Sequence, residues 1–225
     1  MKREIITTAD GSSTIFLPEW NEHYHSKHGA VQEAYHVFIK TGLEHFLEVS
    51  KMAKEVSILE IGYGTGLNAL ITFLEARKRN LQVDYTGVEA YPVSQEEQEK
   101  LNYTSLFPEP DTKEILQQLF LAPWGEKVPV SNTFSLQKKK IYFSEIEDRE
   151  EYNLIFFDAF GPRVQPDLWT EEVFKSMFLA LKNGGVLVTY SAKGSVRRAM
   201  ETAGFTVERM PGPPGKREML RALKK

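Results

Sequence analysis

Apolar and polar residues follow one another in blocks whose period switches between two and about 3.6, the signature of strands alternating with helices. Val56-Ser-Ile-Leu-Glu-Ile61 and Leu154-Ile-Phe-Phe-Asp158 are short apolar runs that predict strands buried on both faces. Residues 83–89 and 186–190 read as further strands, and 134–136 with 141–143 as another strand region. Between them the spacing predicts helices over 67–79, over 94–101 with Ser94 as cap, and over 112–121 bracketed by Pro108, Pro110 and Pro123. Two more are predicted over 171–181, ending at Asn183-Gly184-Gly185, and over 196–203, closed by Gly204. Upstream, residues 4–8 and 13–17 flank Asp10-Gly11 as a hairpin, and a helix over 31–49 carries Val31, Tyr35, Phe38, Gly42 and Phe46 on one side. Residues 205–209 and 219–223, separated by Pro211-Gly-Pro-Pro-Gly215, predict a closing hairpin at the sheet edge.

Repeated βα units predict an α/β fold: a doubly wound, mostly parallel sheet with an antiparallel C-terminal edge strand and a small N-terminal hairpin extension. A single domain over 1–225 is expected, with 1–50 as the extension and 51–225 as the core. In such a sheet ligands bind outside the carboxyl ends of the strands, so the chemistry is sought there.

Composition narrows the classes. Hydrophobic residues at 41% and charged residues at 26% are those of a globular chain, and no apolar run approaches the roughly 20 residues of a membrane span. A cytoplasmic protein with no membrane partner is expected. The absence of cysteine excludes disulfides, thiolate zinc sites and cysteine nucleophiles. A net charge of −3 offers phosphate no global attraction, so a nucleic-acid partner must meet a local basic patch. Candidates are Lys138-Lys139-Lys140, Lys193 with Arg197-Arg198, and a tail holding Arg209, Lys216, Arg217, Arg221, Lys224 and Lys225; each reads equally as a solvated face.

Glu60-Ile-Gly62-Tyr-Gly64-Thr-Gly66 falls where a buried strand turns into a helix. Gly62, Gly64 and Gly66 allow a tight turn and close approach to a ligand, and the helix offers its N-terminal amides. Glu89, ending the next strand, is placed to accept ribose hydroxyls, which points to a nucleoside-containing cofactor. The even glycine spacing, with Asn68 following, departs from the dinucleotide fingerprint, and Glu60 suits a cationic methionine amine better than a pyrophosphate. S-adenosylmethionine is therefore the expected cofactor, with Glu60, Gly62, Gly64, Gly66, Asn68 and Glu89 as its site. Asp158, closing the strongest strand, is the candidate catalytic residue, holding an amine acceptor in line with the methyl group. Tyr24 and His25 are candidates for the substrate pocket. His23, His25 and His28 lack the companion acids of a strong ligand pattern, and no metal is expected. Trp124 and Trp169 read as packing residues.

Taken together, these segments resemble the methyltransferase domain of the MnmC family, which modifies the wobble uridine of certain transfer RNAs. The likeness runs through Tyr24-His-Ser26, His36-Val-Phe38, Gly62-Tyr-Gly-Thr-Gly-Leu-Asn68, Asp158-Ala-Phe-Gly-Pro162, Pro166-Asp-Leu-Trp169, Val196-Arg-Arg198, Ala203-Gly-Phe205 and Gly215-Lys-Arg-Glu-Met219. It implies a Rossmann-like class I methyltransferase fold and methylation of the exocyclic amine of 5-aminomethyl-2-thiouridine. It adds Glu145 to the cofactor site, where the family has an aspartate facing the adenine, and Phe160, Lys216 and Arg217 to the substrate site. Gly161 departs from the family's alanine. The bifunctional relatives carry a flavin-dependent oxidase domain. The chain ends at Lys225, so only the methyltransferase half is expected, with a separate enzyme supplying the aminomethyl precursor. Two other readings stand beside this one: a small-molecule aminopropyl- or methyltransferase resembling the spermidine synthases, and a noncatalytic nucleotide-binding module.

Overall fold

The computed structural model describes residues 2–51 and 53–225. The chain opens with a three-stranded antiparallel sheet, β1 (Glu4–Thr7), β2 (Ser13–Leu17) and β3 (Glu22–His23). The predicted hairpin forms about Asp10-Gly11, where Asp10 accepts from Ser12 N at 3.1 Å. One continuous helical stretch follows: α1 (Ala30–Ala34), a π-helical segment Tyr35–Glu44, and α2 (His45–Val49). Sequence periodicity at 3.6 places this helix but does not reveal the wider winding of its middle, which is an uncommon conformation.

The core is an eight-stranded sheet. Its strands are β4 (Glu55–Ile61), β5 (Gln82–Val88), β6 (Lys127–Ser131), β7 (Phe134–Lys139), β8 (Tyr152–Phe157), β9 (Leu181–Thr189), β10 (Thr206–Pro211) and β11 (Glu218–Leu223), in the order β10-β11-β9-β8-β4-β5-β7-β6. β9, β8, β4, β5 and β7 run parallel. The reversed strand β11 is not the edge: it lies between β9 and β10, and β10 points the same way as the parallel strands. A second reversed strand, β6, borders β7 at the other edge. Its sequence, Lys-Val-Pro-Val-Ser, carries a proline that only an edge tolerates, which hides it from pattern reading. Residues 141–143 form no strand; Phe143–Glu145 is a 3₁₀ turn. β9 begins at Leu181, and Asn183-Gly184-Gly185 falls within an irregular stretch where pairing with β8 jumps from Leu181 to Val186.

Alternation along the central strands sorts side chains to two cores. Val56 and Ile58 of β4 and Leu154 and Phe156 of β8 face the first, beneath the N-terminal extension, α3 (Leu67–Arg79) and α5 (Thr112–Leu121). Leu59, Ile61, Ile155 and Phe157 face the second, beneath α6 (Glu171–Ala180) and α7 (Gly194–Thr202). Between β5 and α5 lies the short α4 (Gln95–Glu99), where Ser94 and Glu97 form a reciprocal capping box. No helix among the described residues is long and apolar enough to cross a membrane.

Candidate active site

The carboxyl ends of β4, β5, β8 and β9 open onto a cavity of about 1140 Å³ whose opposite wall is the N-terminal segment from Trp20 to Lys27. At its centre the turn after β4 is pinned by Val88 O, which accepts from both Gly62 N and Tyr63 N at 3.0 Å. Gly62, Gly64 and Gly66 all have positive φ, at 88°, 51° and 76°. At Gly62 no other residue fits, because a Cβ would stand 2.7 Å from Asp158 O.

Asp158 follows β8 directly, its N–H donating to Ile61 O at 2.9 Å, so the two strand ends are joined. Asn68, in the first turn of α3, bridges two acids: its Nδ2 donates to Glu60 Oε1 at 2.8 Å and to Asp158 Oδ2 at 2.9 Å. Tyr85 donates to the other Glu60 oxygen at 2.9 Å. Burial drives the Glu60 carboxyl well above its ordinary range, with Asp158 adding to the rise against the Asn68 and Tyr85 hydrogen bonds. Burial, with Glu33 nearby, pushes Asp158 up to about 7, and the Asn68 bond and Lys216 oppose this. Both carboxyls are thus primed to regain charge beside a cation. Glu89 stands at the rim with its carboxylate accepting from Gly64 N at 3.1 Å and Tyr91 N at 2.8 Å.

Seven acidic side chains line the cavity (Glu22, Glu33, Glu60, Glu89, Glu97, Asp158 and Asp167) against the basic Arg3, Lys27 and Lys216. An excess of acid favours cationic ligands. The end near Asp158 is walled by aromatics: Tyr24 meets Phe160 edge-on at 5.0 Å, and Trp20 meets Phe160 at 5.7 Å. Tyr190, just past β9, donates to Ala159 O at 2.8 Å, and the Lys216 ammonium lies 3.9 Å from its ring centroid while pairing with Glu33.

Of the residues expected from sequence, Tyr24, His25, Glu60, Gly62, Gly64, Asn68, Glu89, Asp158, Phe160 and Lys216 are brought together here. Gly66, Glu145 and Arg217 are not among the lining residues. Gly66 serves as the N-cap of α3. Glu145 folds back to accept from Tyr142 N at 2.6 Å, and Phe143 and Ser144 line the wall instead. Arg217 points to solvent, whereas its neighbour Lys216 is tied to Glu33.

The expected basic patches are also redrawn. Lys138 is buried, Lys139 pairs with Asp148, and Arg209, Arg221 and Lys224 pair with Glu218, Glu208 and Glu150. Of these candidates, Lys140, Lys193, Arg198, Arg217 and Lys225 are exposed without an ion-pair partner among the described residues, and Lys193, Arg198 and Arg217 cluster beyond the end of β9 and before β11, at the carboxyl end of the sheet. Sequence reasoning passed over Glu33 and Tyr190. Tyr190 sits at a strand end, the same signal that singled out Asp158; Glu33 has no local signal, since only the packing of α1 aims it at the cavity.

His25 takes part through the Thr14 hydroxyl, which accepts from His25 N at 3.0 Å and lies 3.1 Å from Nδ1. The direction of the Nδ1 contact follows the tautomer of the ring, since a hydroxyl can accept twice or accept once and donate. Burial lowers His25 to about 4. The unfolded chain then takes up this proton first, and stability is lost as pH falls from about 6.5 toward 4. In a proton NMR titration, the ring resonance removed by His25→Gln is expected to stay unshifted from pH 7 to 5; a midpoint above 6 would contradict the neutral assignment.

The donor set suits S-adenosylmethionine. Asn68 Oδ1 is buried without a partner beside the Glu60 carboxyl, and Glu89 is held with its carboxylate at the opposite side of the glycine turn. An acceptor left alone in a closed site is one a ligand donor satisfies.

Comparison with known proteins agrees. Residues 113–225 match the model of a family described as S-adenosyl-L-methionine-dependent methyltransferase. The chain is 32% identical over 209 residues to the tRNA 5-methylaminomethyl-2-thiouridine biosynthesis bifunctional protein MnmC of Leptospira borgpetersenii, an alignment covering 88% of this chain and 31% of that protein. It is 26% identical to the protein of the same name from Paraburkholderia xenovorans, covering 93% and 33%. The chain therefore spans about a third of the length of these curated relatives. Among solved structures it is similar to MnmC2 from Aquifex aeolicus, with a TM-score of 0.78 and 26% identity over all of this chain and 71% of that one. Spermidine synthase from Thermotoga maritima shares the fold, with a TM-score of 0.54 and 15% identity over 98% and 67% of the two chains.

Proposed function

The chain belongs to the S-adenosyl-L-methionine-dependent methyltransferase family, related to the MnmC enzymes of tRNA modification, and from that premise we propose that it methylates the aminomethyl group of 5-aminomethyl-2-thiouridine at a tRNA wobble position. The observation that carries this reading is the pairing of an acid-lined cavity with an aromatic end around Asp158.

S-adenosylmethionine supplies an electrophilic methyl group carried on a sulfonium. Glu89 is the residue that would accept its ribose hydroxyls, and Glu60 with Asn68 would receive the amino-acid end. At the other end, Tyr24 and Phe160 offer edges and faces against which a base extruded from the anticodon can stack. Asp158 then lies where the aminomethyl nitrogen would be held. Transfer moves positive charge onto that nitrogen, and a carboxylate stabilises it there. A primary amine arrives protonated and must lose a proton before it can attack. Asp158, raised to about 7, is matched to exchange that proton near neutral pH. Lys216, paired with Glu33, keeps a second full negative charge away from the amine and so limits the stabilisation of its unreactive ammonium form.

The tRNA body would rest on the exposed cations at the carboxyl end of the sheet, Lys193, Arg198 and Arg217, and a separate enzyme would supply the aminomethyl precursor. The test is transfer of labelled methyl to undermodified tRNA followed by nucleoside analysis, with a small diamine as the competing acceptor. Label in the 5-methylaminomethyl nucleoside is expected; label in the diamine alone would move the assignment to a small-molecule transferase. In the same assay Arg198→Ala with Arg217→Ala is expected to weaken tRNA binding and to flatten its salt dependence by about 0.7 to 0.9 in log–log slope per lost phosphate contact. An unchanged slope would remove these residues from the RNA surface.

A further inference from the structure

We propose that Lys138 is a positioning residue for the cofactor turn, fixing Tyr63 and through it the segment from Gly62 to Gly66. Lys138 is 2% exposed, although it sits in a run of three lysines. Its ammonium donates to Phe120 O at 2.5 Å and lies 4.8 Å from the ring centroid of Trp124, 5.7 Å from that of Phe120 and 5.8 Å from that of Tyr63. Among the described residues no carboxylate is within ion-pairing distance of it, and burial lowers it to about 8. Burying an unpaired ammonium is costly, so filling space does not account for a lysine where a methionine would pack. Aromatic faces and a carbonyl are what compensates this one.

Those partners converge on one place. Phe120 O belongs to the last turn of α5, where unpaired carbonyls favour a cation, and Tyr63 reaches the same turn by donating to Leu119 O at 3.3 Å. Trp124 meets the Tyr63 ring edge-on at 6.3 Å. On the sheet, Lys138 is the register partner of Gly87, and the Tyr63 ring lies over that glycine so closely that a Cβ there would stand 2.2 Å from Cδ2. Tyr63 is thus enclosed by Gly87 below, α5 at its hydroxyl, and Trp124 with the Lys138 ammonium at its ring. Its backbone N–H, shared with that of Gly62 on Val88 O, is part of the turn that faces the cavity. The cage sets where that turn stands.

The inference rests on family membership and not on the tRNA substrate. Calorimetric titration of the full chain with S-adenosylmethionine tests it. Lys138→Met is expected to remain folded by circular dichroism and to bind the cofactor about tenfold more weakly, the scale of one charged hydrogen bond. Turnover at saturating cofactor is expected to stay within about twofold, so that KM for the cofactor carries the change. Trp124→Leu, at a partly exposed position that disturbs folding less, is expected to weaken binding in the same direction. A folded variant of either kind with unchanged cofactor affinity overturns the proposal, as does an equal fall in kcat without a change in affinity. A wild-type chain that binds no cofactor overturns it together with the cofactor site.

Discussion

Asp158→Ala is expected to lower kcat by about a hundredfold to a thousandfold, the range seen when a preorganised charge-stabilising group is removed, while the dissociation constant for S-adenosylmethionine stays within about threefold. The separation follows from position. Asp158 touches the cofactor side only through Asn68, whose amide keeps its second acceptor, Glu60. The carboxyl itself faces the aromatic end with Phe160 and Tyr190. Unchanged turnover would remove Asp158 from the chemistry, and a collapse of cofactor affinity would make it part of the cofactor site. Asp158→Asn gives a complementary result. The Asp158 carboxyl titrates at about 7 in the folded chain against an ordinary value of 3.8. Its contribution to stability is therefore complete below about pH 4 and lost as pH rises through 7. The amide of the variant has no charge to gain, so the ligand-free Asp158→Asn protein is expected to melt higher than wild type at pH 8, with the difference vanishing toward pH 4. Equal melting temperatures at pH 8 would mean the carboxylate is better solvated than its surroundings indicate.

Gly62→Ala is the second large effect. At φ 88° an L-residue costs about 1–2 kcal/mol before any contact is counted. The added Cβ also meets a backbone oxygen, Asp158 O, at 2.7 Å, which no rotamer change relieves. Either the turn or the end of β8 must move. Moving the turn disturbs the amides of Gly62 and Tyr63 on Val88 O; moving the strand end displaces Asp158. Cofactor affinity and turnover are both expected to fall more than tenfold, since 1.4 kcal/mol is a factor of ten, and the melting temperature to drop. A variant with wild-type affinity would show that the two backbones approach less closely than they do here. The double loss distinguishes this substitution from Asp158→Ala and from Lys138→Met, each of which affects one quantity.

The parallel core was legible because its strands are buried on both faces and read as continuous apolar runs, with glycines and acids at their ends marking the ligand side. Asn68, next to the glycine turn, and Glu89, at the end of the following strand, were named from sequence and line the cavity. What escaped depended on packing between distant segments. Glu33 lines the cavity because α1 packs against α3, and its partner Lys216 is reached only because the reversed strand β11 returns its preceding turn to the carboxyl end of the sheet. Glu145, which the family resemblance alone put beside the cofactor, accepts from the backbone amide of Tyr142, a local contact that no sequence pattern marks. Lys138 was readable in principle. Phe134, Leu136 and Lys138 share one face of β7 by simple alternation, and all three are buried, so the strand's period contradicts a solvated lysine triplet. The run of like charges masked the period.

The N-terminal segment that walls the cavity divides labour within the chain. The glycine turn, Glu60, Asn68, Glu89 and Asp158 come from the sheet and its first helix, whereas Tyr24, His25 and Glu33 come from the first fifty residues. In the proposed roles the donor side of the cavity is thus built by the core alone, whereas the acceptor side is shared, with Tyr24 from the leading stretch and Asp158 and Phe160 from the core. Variation confined to the leading stretch would then reshape one side of the acceptor pocket and leave the donor side untouched, a modularity that a single continuous sheet does not advertise.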